Sequence, residues 1–366
     1  QIQHLHFVVD LDIKGFFDNV SHGKLLRQMW ALGIRDKTVL SILSAMLKAE
    51  VAGIGFPEKG TPQGGIISPL LSNIVLNELD WWISSQWETM PMRKNYVRTR
   101  KDNGVAEKTY AYKVLREKSR LKECYGLRYA DDFRIFCRRR QDAEKLFIAT
   151  QKWLKERLGL DISPEKSQIV NLKRKYSEFL GFKMMVKPNG KSGSKTRYTV
   201  VSHVSEKRKK KIKKRASELV AKIKFPADKF EEHKFIMDYN SYVMGIHNYY
   251  SMATHANQDF SEIGFSVKRT MKCRLGQRLK KSGNSLPQYV QEKYGRSKEL
   301  RYIRGLFVLP ISYVQTRAPK HRPRNWCVYT PEGRAQVHKS LEKVNLSILH
   351  YLMEHPVPSE SIEYND

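Results

Sequence analysis

Hydrophobic positions along this chain follow two spacings, and the switches between them mark its elements. Residues 7–12 (FVVDLD) form a short, β-branched apolar run that predicts a buried strand. Lys14, Gly15 and a helix-forming segment follow at once, so Asp12 falls where that strand ends. From Ser68, SPLLSNIVLNELDWWI carries a capping Ser, a Pro at the first helical position and apolar residues at 70, 71, 74, 75, 79, 82 and 83, which is one face of a helix. GLRYADDFRIFC predicts two short strands flanking Asp131-Asp132, with the carboxylate pair exposed at the tip of a hairpin and held rigidly by it. Ala143, Leu146, Phe147, Thr150, Trp153, Leu154 and Leu158 then mark a helix ended by Gly159.

Further along, EFLGFKMMV and RYTVV predict a hairpin over 178–201, joined by the turn-rich KPNGKSGSKT. Between 207 and 215 eight of nine residues are Lys or Arg, while Ile212, Ala216, Leu219, Val220 and Ile223 keep helical spacing. That pattern is an amphipathic helix with one strongly cationic face. Two more helical patterns follow at about 230–252 and 260–281, and the rest is a basic, Pro-containing mixture. Residues 88–122 are polar and rich in Lys and Arg without a clean period, as in an insertion or extended connection. No internal repeat is visible. The fold class is α+β, with domains expected at 1–202, 203–290 and 291–366.

Composition narrows the partner. Lys and Arg number 67 against 37 Asp and Glu, a net charge of +30 that points to a polyanion. No run approaches the ~20 apolar residues of a spanning helix, so nucleic acid is favoured over a membrane. Cys124, Cys137, Cys273 and Cys327 are too far apart for a Cys-x-x-Cys knuckle and too few for a disulfide framework, which fits a reducing cytoplasm. Neither His4 with His6 nor His247 with His255 has a third metal ligand nearby, so these read as core or surface histidines. The chain begins Gln-Ile-Gln-His with no Met and no visible signal peptide, so residue 1 is expected not to be the natural start.

Asp12 and Asp131-Asp132 carry the candidate chemistry. Phosphoryl transfer from a nucleoside triphosphate uses two divalent ions about 3.5–4 Å apart, bridged by carboxylates. An isolated Asp-Asp pair is more often a solvated turn, so the context decides. That context is the ordered set DIKGFFDNV, GTPQGGIISPLLSNI, YADDF, SPEKS and EFLGF. In sequence and order the set resembles five consecutive blocks of the reverse transcriptase family, and YADD with PQG and DIKGFFD resembles its group II intron lineage. YNSYVMGIHNYYSMAT looks like the maturase segment of intron proteins.

The resemblance implies a right-hand polymerase palm with incomplete fingers, then an α-helical thumb/maturase domain and a basic, DNA-binding tail. It implies that Asp12, Asp131 and Asp132, with the backbone carbonyl of Ile13, hold two Mg²⁺ ions, Mn²⁺ being the substitute. Phe17 matches the aromatic position that lies under the incoming sugar and rejects a 2′-hydroxyl. Gln63, Gly64 and Gly65 match the loop touching nucleotide and template, where glycine lets the backbone approach closely. Lys166 matches a lysine near the leaving pyrophosphate, and Leu180 and Gly181 fall in the block that contacts primer. The cationic helix, through Lys207, Arg208, Lys209, Lys210, Lys211, Lys213, Lys214 and Arg215, occupies the thumb position and would contact phosphates. Tyr239, Tyr242, Tyr249 and Tyr250 read as core, with Asn248 reaching RNA.

The implied activity is RNA-directed DNA synthesis on group II intron RNA, with dNTPs and a target DNA primer, plus binding of that RNA to assist splicing. The implied setting is the bacterial cytoplasm, without a membrane partner; a homodimer is compatible with the family. Family members carry further residues ahead of the first motif seen here, forming the fingers, and many end in an HNH nuclease for which 300–366 offers no ligand set. Two alternatives stay open: an RNA-binding splicing factor that does not polymerise, and the reverse transcriptase of a retron or diversity-generating element.

Overall fold

The computed structural model describes residues 4–317, apart from 52–54, 62–64, 93, 100–105, 108 and 194, together with residue 335. Gln63, Gly64, Cys327 and the tail from 318 therefore lie outside the described residues. The strands are β1 (Phe7–Leu11), β2 (Arg98–Thr99), β3 (Ala106–Glu107), β4 (Cys124–Tyr129), β5 (Asp132–Cys137), β6 (Gln168–Asn171), β7 (Ser177–Phe179), β8 (Phe182–Ser192), β9 (Lys195–Val204), β10 (Arg301–Ile303) and β11 (Leu306–Val308). The helices are α1 (Phe16–Asn19), α2 (His22–Ala31), α3 (Lys37–Leu47), α4 (Ser68–Ser85), α5 (Thr109–Lys118), α6 (Arg140–Trp153), α7 (Glu206–Lys224), α8 (Lys229–Tyr250), α9 (Ala256–Leu275) and α10 (Gln288–Tyr294). The described residues fall into two compact units, one within 4–76 and 126–317 and one within 77–125.

In the first unit β1 is an inner strand of an antiparallel sheet ordered β4-β5-β1-β6. Val8, Val9 and Leu11 are wholly buried, and α6 packs across the strand, which is why this run carries no outward polar alternation. Asp36 caps α3, accepting from the N–H of Thr38 at 2.8 Å. The helix expected to end at Gly159 does so, with Gly159 at φ 68° after a π-helical last turn, Leu154–Leu158.

The single hairpin expected over 178–201 is instead three strands. Leu180 and Gly181, at φ 51° and 80°, make a tight turn of the type I′ kind inside EFLGF. Strand β8 then runs on through the segment expected to be a turn, with an irregularity between Pro188 and Lys191. Pairing along a long two-stranded ribbon overrides the weak turn preference of Pro-Asn-Gly, and the bulge accommodates it.

Helices α7, α8 and α9 share a core built from Ile212, Leu219, Val220, Tyr239, Phe260 and Val267, which the cationic helix joins through its apolar face. The domain boundary expected at 290 falls inside this core, because Tyr294, Leu300, Ile303, Leu309 and Ile311 pack into it. Side chains from α8 clamp that later segment: Asn240 donates to the carbonyl of Phe307 at 2.8 Å and accepts from the N–H of Leu309 at 2.9 Å. Tyr239 and Tyr250 are core as expected, but Tyr249 is half exposed.

His247 is buried, its Nε2 2.9 Å from the Ile311 carbonyl and its Nδ1 3.0 Å from the Tyr294 hydroxyl. A carbonyl can only accept, so Nε2 carries the proton and Tyr294 donates to Nδ1. Burial holds its pKa down, from 6.5 to about 4. The unfolded chain then binds the extra proton first as pH falls, so the stability contributed by neutral His247 is whole above pH 6.5 and lost towards pH 4. The loss amounts to about 3 kcal/mol. Melting temperature measured from pH 7 to 4 is expected to fall, and His247→Gln to flatten that slope; an unchanged slope would refute the assignment. His6 is shifted the same way, while Asp10 and Asp132 are raised and act in the opposite direction, so the slope left in the variant is the balance of the two.

The second unit contains α5 within the segment read as an insertion. Arg116 grips Glu123 with two bonds of 2.7 and 2.6 Å, and Trp87 stacks on Tyr112 at 5.7 Å. No helix among the described residues is long and apolar enough to cross a membrane.

Candidate active site

Asp12 follows the last residue of β1, and Asp132 is the first of β5. The register places Leu11 opposite Phe133, so Asp12 and Asp132 come next to each other where the two inner strands end. Asp131 stands in the β4–β5 turn beside Ala130, whose φ of 54° is a conformation that non-glycine residues rarely adopt. The segment 161–167 wraps the end of β1. The N–H of Ser163 donates to the Asp12 carbonyl at 2.8 Å, that of Lys14 to the Asp161 carbonyl at 2.8 Å, and that of Asp12 to Ser167 Oγ at 3.2 Å. These bonds run through residues 12 and 14, leaving the carbonyl of Ile13 outside the bridge that Ile13 makes with Ile162. They also bring Lys166 in, with Nζ 3.4 Å from Asp12 Oδ2.

Negative charge is concentrated at this end of the sheet. Burial pushes the Asp132 carboxyl above its ordinary pKa, Arg134 offsets part of that, and Asp131 and Asp12 add repulsion. Burial likewise lifts Asp10 to about 6 against the pull of Arg134, with Asp132 and Asp12 contributing. Anionic oxygens at the strand ends are the kind of donor that Mg²⁺ takes. Two of these carboxylates have a cation to hand, Asp132 on Arg134 at 2.6 Å and Asp12 on Lys166. Among the described residues no three His, Cys, Asp or Glu side chains are drawn together as a ligand set.

Arg134 and Asp10 also belong to this site, though no sequence motif marks them. They sit opposite each other in β5 and β1, with Arg134 Nη1 2.6 Å from Asp10 Oδ1. Opposite charges flanked by Val9 and Leu11 in one strand and by Phe133 and Ile135 in the other were the available signal.

Phe17 is half-buried on α1, its ring edge-on to Phe16 at 5.3 Å. The loop leading to Gln63 is fastened there: the N–H of Thr61 donates to the Phe17 carbonyl and that of Gly60 to the Val20 carbonyl, both at 2.7 Å. Gly60, at φ 102°, comes so close that a Cβ would stand 3.1 Å from the Phe17 carbonyl oxygen. His22 Nε2 completes the attachment, 2.7 Å from the Gly60 carbonyl. Gly65 lies at the other end of the loop, its carbonyl accepting from Ser68 N–H at 3.1 Å as α4 begins.

The Leu180-Gly181 turn is held from the helical side. Tyr249 Oη donates to the Leu180 carbonyl at 2.9 Å, and the N–H of Ser205 to the Gly181 carbonyl at 2.8 Å. A Cβ on Gly181 would meet Tyr250 Oη at 2.8 Å and Arg208 at 3.1 Å. On α7, Lys207, Arg208, Lys210, Lys211, Lys214 and Arg215 are exposed, as a cationic face requires. Lys209 is not on that face. It turns inward to Asp259 at 2.8 Å and Glu262 at 2.9 Å, because the apolar stripe of the helix passes through its position. Lys213 is half-buried and pairs with Glu262 at 2.7 Å. Asn248 accepts from Lys293.

The family model described as reverse transcriptase (RNA-dependent DNA polymerase) matches residues 1–184. The group II intron-encoded protein LtrA of Lactococcus lactis is 28% identical over 302 residues, covering 68% of this chain and 49% of LtrA. The COX1/OXI3 intron 2 protein of Saccharomyces cerevisiae is 28% identical over 217 residues, covering 51% of this chain and 25% of that protein. The chain thus spans half or less of the length of these relatives. Apo telomerase of Candida tropicalis superposes with a TM-score of 0.36 at 8% identity, over 74% of this chain and 47% of that one, too weak a likeness to argue from.

Proposed function

This chain belongs to the reverse transcriptase (RNA-dependent DNA polymerase) family, and from that premise we propose that it is the polymerase and RNA-binding part of a group II intron-encoded protein. It would copy intron RNA from a target DNA primer using dNTPs, and bind the same RNA to assist splicing. The observation that carries the polymerase reading is the register that sets Asp12 beside Asp132, with Asp131 in the adjoining turn. Support for the intron reading comes from LtrA, whose likeness covers 68% of the chain, more than residues 1–184 can supply, and so continues into the helical part.

In this reading Asp12, Asp131, Asp132 and the carbonyl of Ile13 would hold two Mg²⁺ ions. Bound there, such ions lower the pKa of a primer 3′-hydroxyl and steady the departing pyrophosphate. The chain's own groups do the rest. Phe17 lies under the incoming sugar and excludes a 2′-hydroxyl, and the loop of Gln63, Gly64 and Gly65, fastened to the Phe17 carbonyl through Thr61, meets the nascent base pair. Lys166 offsets charge on the leaving phosphates. Leu180 and Gly181 carry the primer strand, and α7–α10 act as thumb and maturase surface, with the exposed cations of α7 on backbone phosphates.

The test is extension of a DNA primer annealed to RNA by the full chain, alongside splicing of the intron RNA, in wild type and Asp131→Ala. Extension is expected in the wild type alone, with splicing retained in both. Equal extension by the two proteins would sink the proposed metal site.

A further inference from the structure

We propose that Arg134 is a positioning residue for nucleotide transfer, setting the carboxylate of Asp132 and the primer-side turn in one frame; this rests on the polymerase reading above. Its side chain is only 9% exposed, and each terminal nitrogen is committed. Nη1 lies 2.6 Å from Asp10 Oδ1 and 2.6 Å from Asp132 Oδ1, and Nη2 donates to the carbonyl of Glu178 at 2.9 Å. The guanidinium also lies over the Phe179 ring, 5.1 Å from its centre. Glu178 and Phe179 directly precede the Leu180-Gly181 turn. One planar group therefore joins the carboxylate end of the sheet to the hairpin that Tyr249 and Ser205 hold on the helical side.

Stability alone does not account for this arrangement. A buried ion pair usually does no better than an apolar pair of the same size, and the neighbours of Asp10 and Arg134 in β1 and β5 are Val, Leu, Phe and Ile. Arg134 Nε is moreover buried with no hydrogen-bond partner, a cost that an apolar residue would avoid. What an apolar pair would not supply is a rigid donor on Oδ1 of Asp132, which fixes where Oδ2 points. Asp10, buried and opposite in register, holds the guanidinium in turn. Lysine keeps the charge but has no fork to reach Asp10, Asp132 and Glu178 together.

Arg134→Lys is therefore expected to slow single-turnover extension about 10-fold or more, with the KM for dNTP little changed and the Mg²⁺ concentration for half-maximal rate raised. Mn²⁺ binding followed by electron paramagnetic resonance should weaken in parallel, without reference to turnover. The double variant Asp10→Asn/Arg134→Gln replaces the ion pair by a neutral hydrogen-bonding pair, and is expected to melt near the wild type yet extend slowly. Wild-type extension and Mn²⁺ binding in Arg134→Lys, or recovery of extension along with melting in the double variant, would overturn the proposal. A wild type that extends no primer would defeat the polymerase reading instead, and the Mn²⁺ titration would still decide the role of Arg134.

Discussion

Asp12→Ala is expected to lower RNA-templated primer extension by about 10³-fold or more while leaving the melting temperature almost unchanged. The Asp12 side chain is 44% exposed, and its ion-pair partner, Lys166, is 67% exposed at 3.4 Å. Such a surface pair is worth about 0–1 kcal/mol. The hydrogen bonds that fasten β1 to Ser163 and Ser167 use the main chain of residue 12 and survive the substitution. Catalysis is hit harder, since a ligand whose ions offset several kcal/mol of transition-state charge is lost, and about 1.4 kcal/mol is a factor of ten in rate. Initial extension rates measured beside a thermal melt separate the two effects. A variant that keeps a tenth of the wild-type rate would remove Asp12 from the ligand set.

Lys209→Met should behave in the opposite way. Lys209 and Asp259 have side chains only 7% and 3% exposed, and Asp259 also accepts from the N–H of Val204 at 2.8 Å. Burial by itself would lower the Lys209 amine's pKa, but Asp259 and Glu262 outweigh it and hold it above the ordinary value. Lys213 and Lys209 together pull Glu262 down to about 2. Removing Lys209 takes away the charged partner of a buried carboxylate and leaves it the His203 ring at 3.2 Å and the Val204 N–H, a loss of about 3 kcal/mol and a fall in melting temperature on the order of 10 °C. Lys210→Met, one residue on and exposed, should melt like the wild type but bind RNA with a shallower salt dependence, by about one unit of slope. Identical melting and identical RNA binding in the two variants would show that burial does not divide their roles.

These two side chains also mark where sequence stops being informative. Asp12, Asp131 and Asp132 could be placed on their elements because the surroundings are local, a β-branched run ending in Asp and a carboxylate pair between two short strands, while their joint role rests on the ordered motifs that resemble the reverse transcriptase family. The apolar stripe of α7 was equally plain, because helical period is a property of neighbours in the chain. The same stripe passes through Lys209, yet a lysine within a run of eight cations looks like its neighbours until Asp259, fifty residues away, is folded against it.

Arg134 and Asp10 were missed for the same reason. Each charge taken alone looks misplaced in a buried strand, and only the antiparallel register of β1 with β5 makes them partners. The local pattern at Leu180-Gly181 is apolar and predicts strand, whereas its positive φ angles are held in place by Tyr249, Ser205 and the closeness of Tyr250. By itself the sequence determined the helical faces, the strand bearing Asp12 and the order of the chemical groups, all of them short-range properties. Tertiary structure decided which charges face solvent and which are buried in pairs, and how Asp132 is held. Those outcomes depend on residues distant in the chain meeting where burial makes an unpaired charge costly.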